Sequence, residues 1–90
     1  MNVVMQRLSV STRGHTDILD ITSQVQEKVK ASGVASGTAT VFVSGSTAAV
    51  TTIEYEPGLL KDLKRAVEQL APENASYAHD AAWGDGNGYA

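Results

Sequence analysis

The sequence predicts an α+β fold, and two kinds of pattern carry that prediction. Three runs, Asn2–Thr12, Thr38–Val43 and Thr47–Glu54, mix β-branched or alternating apolar residues with polar ones and are bounded by turn-forming residues, as strands are. Two other runs repeat apolar residues at three- and four-residue intervals, the period of a helix with one buried face. The expected order is strand, helix, strand, strand, helix, loop, in a single domain of 90 residues without internal repeats.

The first strand is expected from Val3, Val4, Met5, Leu8 and Val10, set among polar residues. A polar loop, Arg13-Gly14-His15-Thr16, leads to Ile18-Leu19-Asp20-Ile21. Thr22 or Ser23 is the expected N-cap of the first helix, with Ser23 and Gln26 at capping-box spacing. That helix is expected over about 22 to 32, with Val25 and Val29 on one face and Gly33 as its stop. Thr38–Val43 is rich in β-branched residues, and Ser44-Gly45-Ser46 interrupts it. The next strand sets Ala48, Val50 and Thr52 opposite Ala49, Thr51 and Ile53, a pattern suited to burial on both faces. Pro57 stands where the first turn of a helix tolerates it, and Leu59, Leu60, Leu63, Val67 and Leu70 form an apolar face that ends before Pro72. If that face is core, Leu63→Ala costs about 2 to 5 kcal/mol.

Composition excludes several function classes. The net charge of −3 opposes nucleic-acid binding, which needs clustered Lys and Arg. The absence of cysteine excludes disulfides, thiolate zinc sites and cysteine nucleophiles. No stretch approaches membrane-spanning length and the N-terminus lacks a signal-peptide pattern, so the expected location is cytoplasmic.

The richest chemistry lies in Tyr77–Ala90, where His79, Asp80, Trp83, Asp85 and Asn87 are spaced by Gly84, Gly86 and Gly88. No apolar period makes this stretch a helix or a paired strand, and alternate glycines let donors converge on a small molecule, so it reads as a binding loop. The competing reading is a solvated tail of small and acidic residues. Asp80 and Asp85 are hard oxygen ligands suited to Mg²⁺, whereas His79 suits zinc or proton transfer. With two histidines and no cysteine, a protein-only zinc site needs a further histidine. Gly45, Ser46 and Thr47 either cradle phosphate oxygens or simply make a tight β-connection. Trp83 either packs over a heteroaromatic ligand or anchors the loop. His15, alone in its loop, is expected to be a surface residue.

Together, Val41–Leu60 and His79–Gly88 closely resemble the corresponding motifs of the YjbQ-type family, also called the secondary thiamine-phosphate synthase family. The resemblance runs from Asp20-Ile21-Thr22 to the end of the chain. It implies a two-sheet β-sandwich with two helices, assembled as a homotrimer. It also implies formation of thiamine phosphate from a hydroxymethylpyrimidine diphosphate and a thiazole phosphate, with His79, Asp85, Asn87 and Glu54 as candidate catalytic residues. Gly45, Ser46, Thr47, Trp83 and Gly86 are then candidate substrate contacts, and Asp80, Asp85 and His79 candidate metal ligands. Glu54 is assigned to the site and Glu56 to the start of the second helix. Family members continue past the glycine–asparagine loop with a histidine-containing segment, an arginine and further strands. This sequence therefore resembles the front portion of the domain, and further β structure is expected after Ala90.

Overall fold

Among the described residues, three segments satisfy their backbone hydrogen bonds locally as helices: α1 over Thr22–Ala31, α2 over Pro57–Leu70 and α3 over Ala78–Trp83. The computed structural model describes residues 2–84 and 86–89, with the side chains of 81–83 outside that description. The chain divides into two units, Met1–Ser44 and Gly45–Ala90.

In the first unit, the polar loop is a bend whose backbone is held by its own side chains. The Arg13 amide donates to Asp17 Oδ2 at 2.9 Å and the Gly14 amide to Thr12 Oγ1 at 3.3 Å. Gly14, His15 and Thr16 follow with φ of 72°, 55° and 58°. The left-handed region suits glycine but strains a β-branched residue such as Thr16. α1 then starts by a different device from the one expected. Asp20 Oδ1 accepts from the Thr22 amide at 2.9 Å and from its hydroxyl at 2.6 Å, and no side chain caps the helix from Thr22 or Ser23. Aspartate wins here because its short carboxylate reaches the amide two residues on, forming an Asx turn that leads into the helix. The end is as expected. The Ser32 amide donates to the carbonyls of Lys28 and Val29, and Gly33 takes φ of 75°. Val25 is half-buried on α1, but Val29 is exposed.

In the second unit, the Ala48 amide donates to the Gly45 carbonyl at 3.4 Å and closes a turn over Ser46 and Thr47. α2 begins at Pro57, whose missing N–H costs nothing in a first turn. Glu56, with extended backbone, caps it: its carboxylate accepts from the amides of Gly58 at 2.9 Å and Leu59 at 2.8 Å. The helix-start role expected of Glu56 is borne out. Its apolar face is only partly covered, with Leu59, Leu60 and Leu63 half-buried and Leu70 86% exposed. No side chain among the described residues is fully buried, so Leu63 is not the core residue that the helical period suggested.

Two further expectations are corrected. The described residues contain no strand or sheet, which overturns the two-sheet β-sandwich and the three strands at Asn2–Thr12, Thr38–Val43 and Thr47–Glu54. The physical reason is where the hydrogen bonds go. A helix closes its bonds within four residues, whereas a strand needs a partner segment to make a ladder. β-branched composition measures fit to a pleated, half-buried surface, and Val41, Phe42, Val43 and Val50 are all exposed here. The run at Thr47–Glu54 is likewise exposed apart from half-buried Ile53 rather than covered on both faces. The second correction is α3, which occupies residues read as loop. Ala78, Ala81 and Ala82 favour a helix without any apolar stripe, and Gly84 ends it in the left-handed conformation at φ 66°.

Candidate functional site

Two of the glycines after α3, Gly84 and Gly88, bond to one residue of that helix, Asp80, the first through its main chain and the second through its side chain. Its carbonyl accepts from the Gly84 amide at 2.6 Å, the ordinary closure of a helix end. Its Oδ1 accepts from the Gly88 amide at 2.7 Å, across eight residues of chain. The same oxygen lies 3.8 Å from His79 Nδ1, an electrostatic separation and too long for a hydrogen bond. Asp80 is half-buried and His79 more open, with side chains 26% and 49% exposed.

Tyr77 forms the other side of this arrangement. Its hydroxyl donates to the Pro72 carbonyl at 2.5 Å, which ties the residue before α3 back to the end of α2. Partial loss of water raises the Tyr77 phenol above its usual pKa, with the charges of Glu68 and then Asp80 adding to that. Gly88 lies against this ring so closely that a Cβ there would be 2.4 Å from Tyr77 Cβ and 2.7 Å from Cγ. Only glycine fits. The sequence reading missed Tyr77 and assigned Gly88 no more than a spacer role. The available signal was a bulky aromatic placed before an Ala-rich turn, with a glycine run following it.

The expected site residues fall into three groups. His79 and Asp80 are brought together, and Asn87 and Gly86 lie in the segment next to the anchored Gly88, with Gly86 at φ 68°. Gly45, Ser46 and Thr47 form the turn described above, and Glu54 is exposed ahead of the α2 cap with its carbonyl accepting from the Glu56 amide at 3.0 Å. Among the described residues no hydrogen bond or ion pair joins this second group to Asp80. Asp85 and the Trp83 side chain lie outside the described residues. Among the described residues, no group of three or more His, Asp or Glu side chains is placed to hold a metal ion. His15 is exposed in its loop, as expected.

Comparison with known proteins agrees with the two motifs. A family model described as "UPF0047 protein YjbQ-like" matches residues 6–90. The chain belongs to this family. It is 37% identical over 81 residues to a UPF0047 protein of Methanothermobacter thermautotrophicus, a match covering 90% of this chain and 57% of that relative. A UPF0047 protein of Archaeoglobus fulgidus is 34% identical over 73 residues, covering 81% of this chain and 56% of the relative. The chain thus spans little more than half the length of these curated relatives. No solved structure matches it. No helix among the described residues is long and apolar enough to cross a membrane.

Proposed function

We propose that this chain carries part of a site for small phosphorylated heterocycles, and that its reaction is the joining of a hydroxymethylpyrimidine diphosphate to a thiazole phosphate. The observation that supports this reading is the convergence of His79 and the Gly88 amide on the half-buried carboxylate of Asp80, in a chain of the YjbQ-like family. In the reaction, the bond between the pyrimidine's methylene carbon and the diphosphate oxygen breaks. The thiazole ring nitrogen supplies the electron pair for the new carbon–nitrogen bond, and diphosphate leaves with the electrons of the broken bond. Positive charge grows on the methylene carbon and negative charge on the leaving oxygen. In this reading, His79 donates a proton to the departing oxygen, with the Asp80 carboxylate 3.8 Å from its ring. Asn87 and the glycine amides orient the ligand, Trp83 packs on its ring, and Gly45, Ser46 and Thr47 take a phosphate. Glu54 and Asp85 belong to the same proposed acidic set. Asp80, Asp85 and His79 are the residues proposed to meet a divalent cation such as Mg²⁺, and no step is assigned to it. It enters the test as the counter-ion of diphosphate. The assembly proposed for this activity is a homotrimer.

A second reading is favoured by one observation. Neither Val41–Leu60 nor Tyr77–Ala90 contains Lys or Arg, the usual clamps for a diphosphate. On that reading the protein binds a small ligand, and synthesis is incidental.

The test supplies both substrates with Mg²⁺ and measures thiamine phosphate and released diphosphate in equal amounts. The expected result is product formation that His79→Ala and Asp85→Asn each abolish, with solution mass giving three chains. Product formation unchanged in both variants overturns the site. Saturable binding of thiazole phosphate without product selects the second reading, and neither binding nor product rejects both.

A further inference from the structure

We infer that the Asp80 carboxylate is the positioning group of the glycine-rich segment, a clasp that fastens its Gly88 end back onto α3 and so places Asn87 for a ligand. The inference rests on the proposed small-ligand site for its purpose, but on geometry for its mechanism. Gly84 and Gly88 are four residues apart, and each donates its amide to an oxygen of the same residue: Gly84 to the Asp80 carbonyl at 2.6 Å and Gly88 to Asp80 Oδ1 at 2.7 Å. A flexible glycine run loses much conformational entropy when ordered, because glycine has more unfolded conformations than any other residue. The short bond from Gly88, strengthened by the carboxylate's charge, offsets that cost where the run ends, while the backbone closure of α3 does so where it begins.

The clasp is also closed from the other side. Tyr77 leaves no space for a Cβ at Gly88 and is itself fastened through its hydroxyl to the Pro72 carbonyl. The Gly88 amide is therefore set between a fixed ring and a half-buried carboxylate, and Asn87 is the residue immediately before it.

The experiment is amide hydrogen exchange on the isotopically labelled 90-residue chain, comparing the unsubstituted protein with Asp80→Ala and Asp80→Asn. In Asp80→Ala the Gly88 amide is expected to exchange at least about tenfold faster, the effect of losing a charge-assisted hydrogen bond. Gly84 keeps its protection, because its acceptor is main chain. Asp80→Asn retains an oxygen at the same place and is expected to restore most of the Gly88 protection and the Asn87 resonance position. A general loss of structure does not produce that split between Gly84 and Gly88, nor its rescue by asparagine. The clasp is overturned if Gly88 exchanges alike in all three proteins, if Gly84 and Gly88 lose protection together in both variants, or if Asp80→Asn unfolds α2. Absence of thiamine phosphate in the unsubstituted protein is a separate result. It rejects the proposed reaction and leaves the exchange pattern to decide the clasp.

Discussion

The two units solve the same backbone problem with different residues. In Met1–Ser44 the chain takes positive φ at His15 and Thr16 as well as at Gly14 and Gly33, whereas in Gly45–Ala90 the described residues with positive φ are glycines, Gly84 and Gly86. The first unit therefore carries backbone strain in its loop, and the second carries tight packing in place of strain, at Gly88 against Tyr77. Strain is relieved by a smaller residue and packing is broken by a larger one. Substitutions in opposite directions should thus have opposite effects in the two halves.

The largest effect is expected from Gly88→Ala. The added methyl would fall 2.4 Å from Tyr77 Cβ and 3.0 Å from Asp80 Oδ1, and neither the ring, held through its hydroxyl, nor the anchoring carboxylate can move freely. A loss of about 1 to 3 kcal/mol is expected from overpacking, read as a lower denaturant midpoint. An unchanged midpoint would show that the Tyr77 contact gives way easily and that the second unit is looser than its glycines suggest.

Next is Leu63→Ala on α2. The helical period alone implied a core residue and a cost of about 2 to 5 kcal/mol. Leu63 is half-buried, so roughly half of its transfer free energy is at stake, and the expected loss is about 1 to 2 kcal/mol. A loss well above that range would mean that α2's apolar face is covered in solution by something further. Smaller again, and opposite in sign, is Thr16→Gly in the first unit. Removing the β-branch at φ 58° relieves about 1 to 2 kcal/mol of strain, while the added freedom of the unfolded chain returns about 0.5 to 1. A net gain of about 0.5 kcal/mol is expected in thermal unfolding, and a destabilised Thr16→Gly would remove the contrast between the units.

The elements legible in the sequence were those whose bonds are local. The period of Leu59, Leu60, Leu63, Val67 and Leu70, with Pro57 before it and Pro72 after it, gave α2 within its actual bounds of Pro57–Leu70. Gly33 marked the end of α1 for the same reason. The β-rich runs failed as predictors of strands because Val41, Phe42 and Val43 can form a ladder only with a distant segment, which their own spacing does not specify. α3 was hidden because helix-period reading looks for apolar residues, and Ala78-His79-Asp80-Ala81-Ala82-Trp83 is held by propensity and a glycine stop. Within the candidate site, the adjacency of His79 and Asp80 is in the sequence itself, but the Gly88 bond to Asp80 depends on where the loop returns, and residue type alone does not encode that.

The smallest effects separate the starts of α1 and α2, and they are read by acid titration. Both helices begin beside an exposed carboxylate whose pKa is lowered: Glu56 by the amides of Gly58 and then Leu59, and Asp20 by the hydroxyl and then the amide of Thr22. A carboxylate with a lowered folded pKa contributes stability that is complete above its unfolded pKa and is lost as pH falls through the folded one. Each helix start is therefore complete above the ordinary value of its own carboxylate, 4.5 for Glu56 and 3.8 for Asp20, and weakens as pH falls below it. Residue-resolved carbon shifts along an acid titration should therefore show the first turns of both helices fraying as pH falls below these values. Glu56→Gln, which keeps one acceptor oxygen but no titrating proton, should remove the pH dependence from α2 alone, and Ser23→Ala should leave α1 unchanged because Ser23 does not cap it. If the first turn of α1 is insensitive to acid, or if Ser23→Ala shortens it, then Asp20 is not what starts that helix.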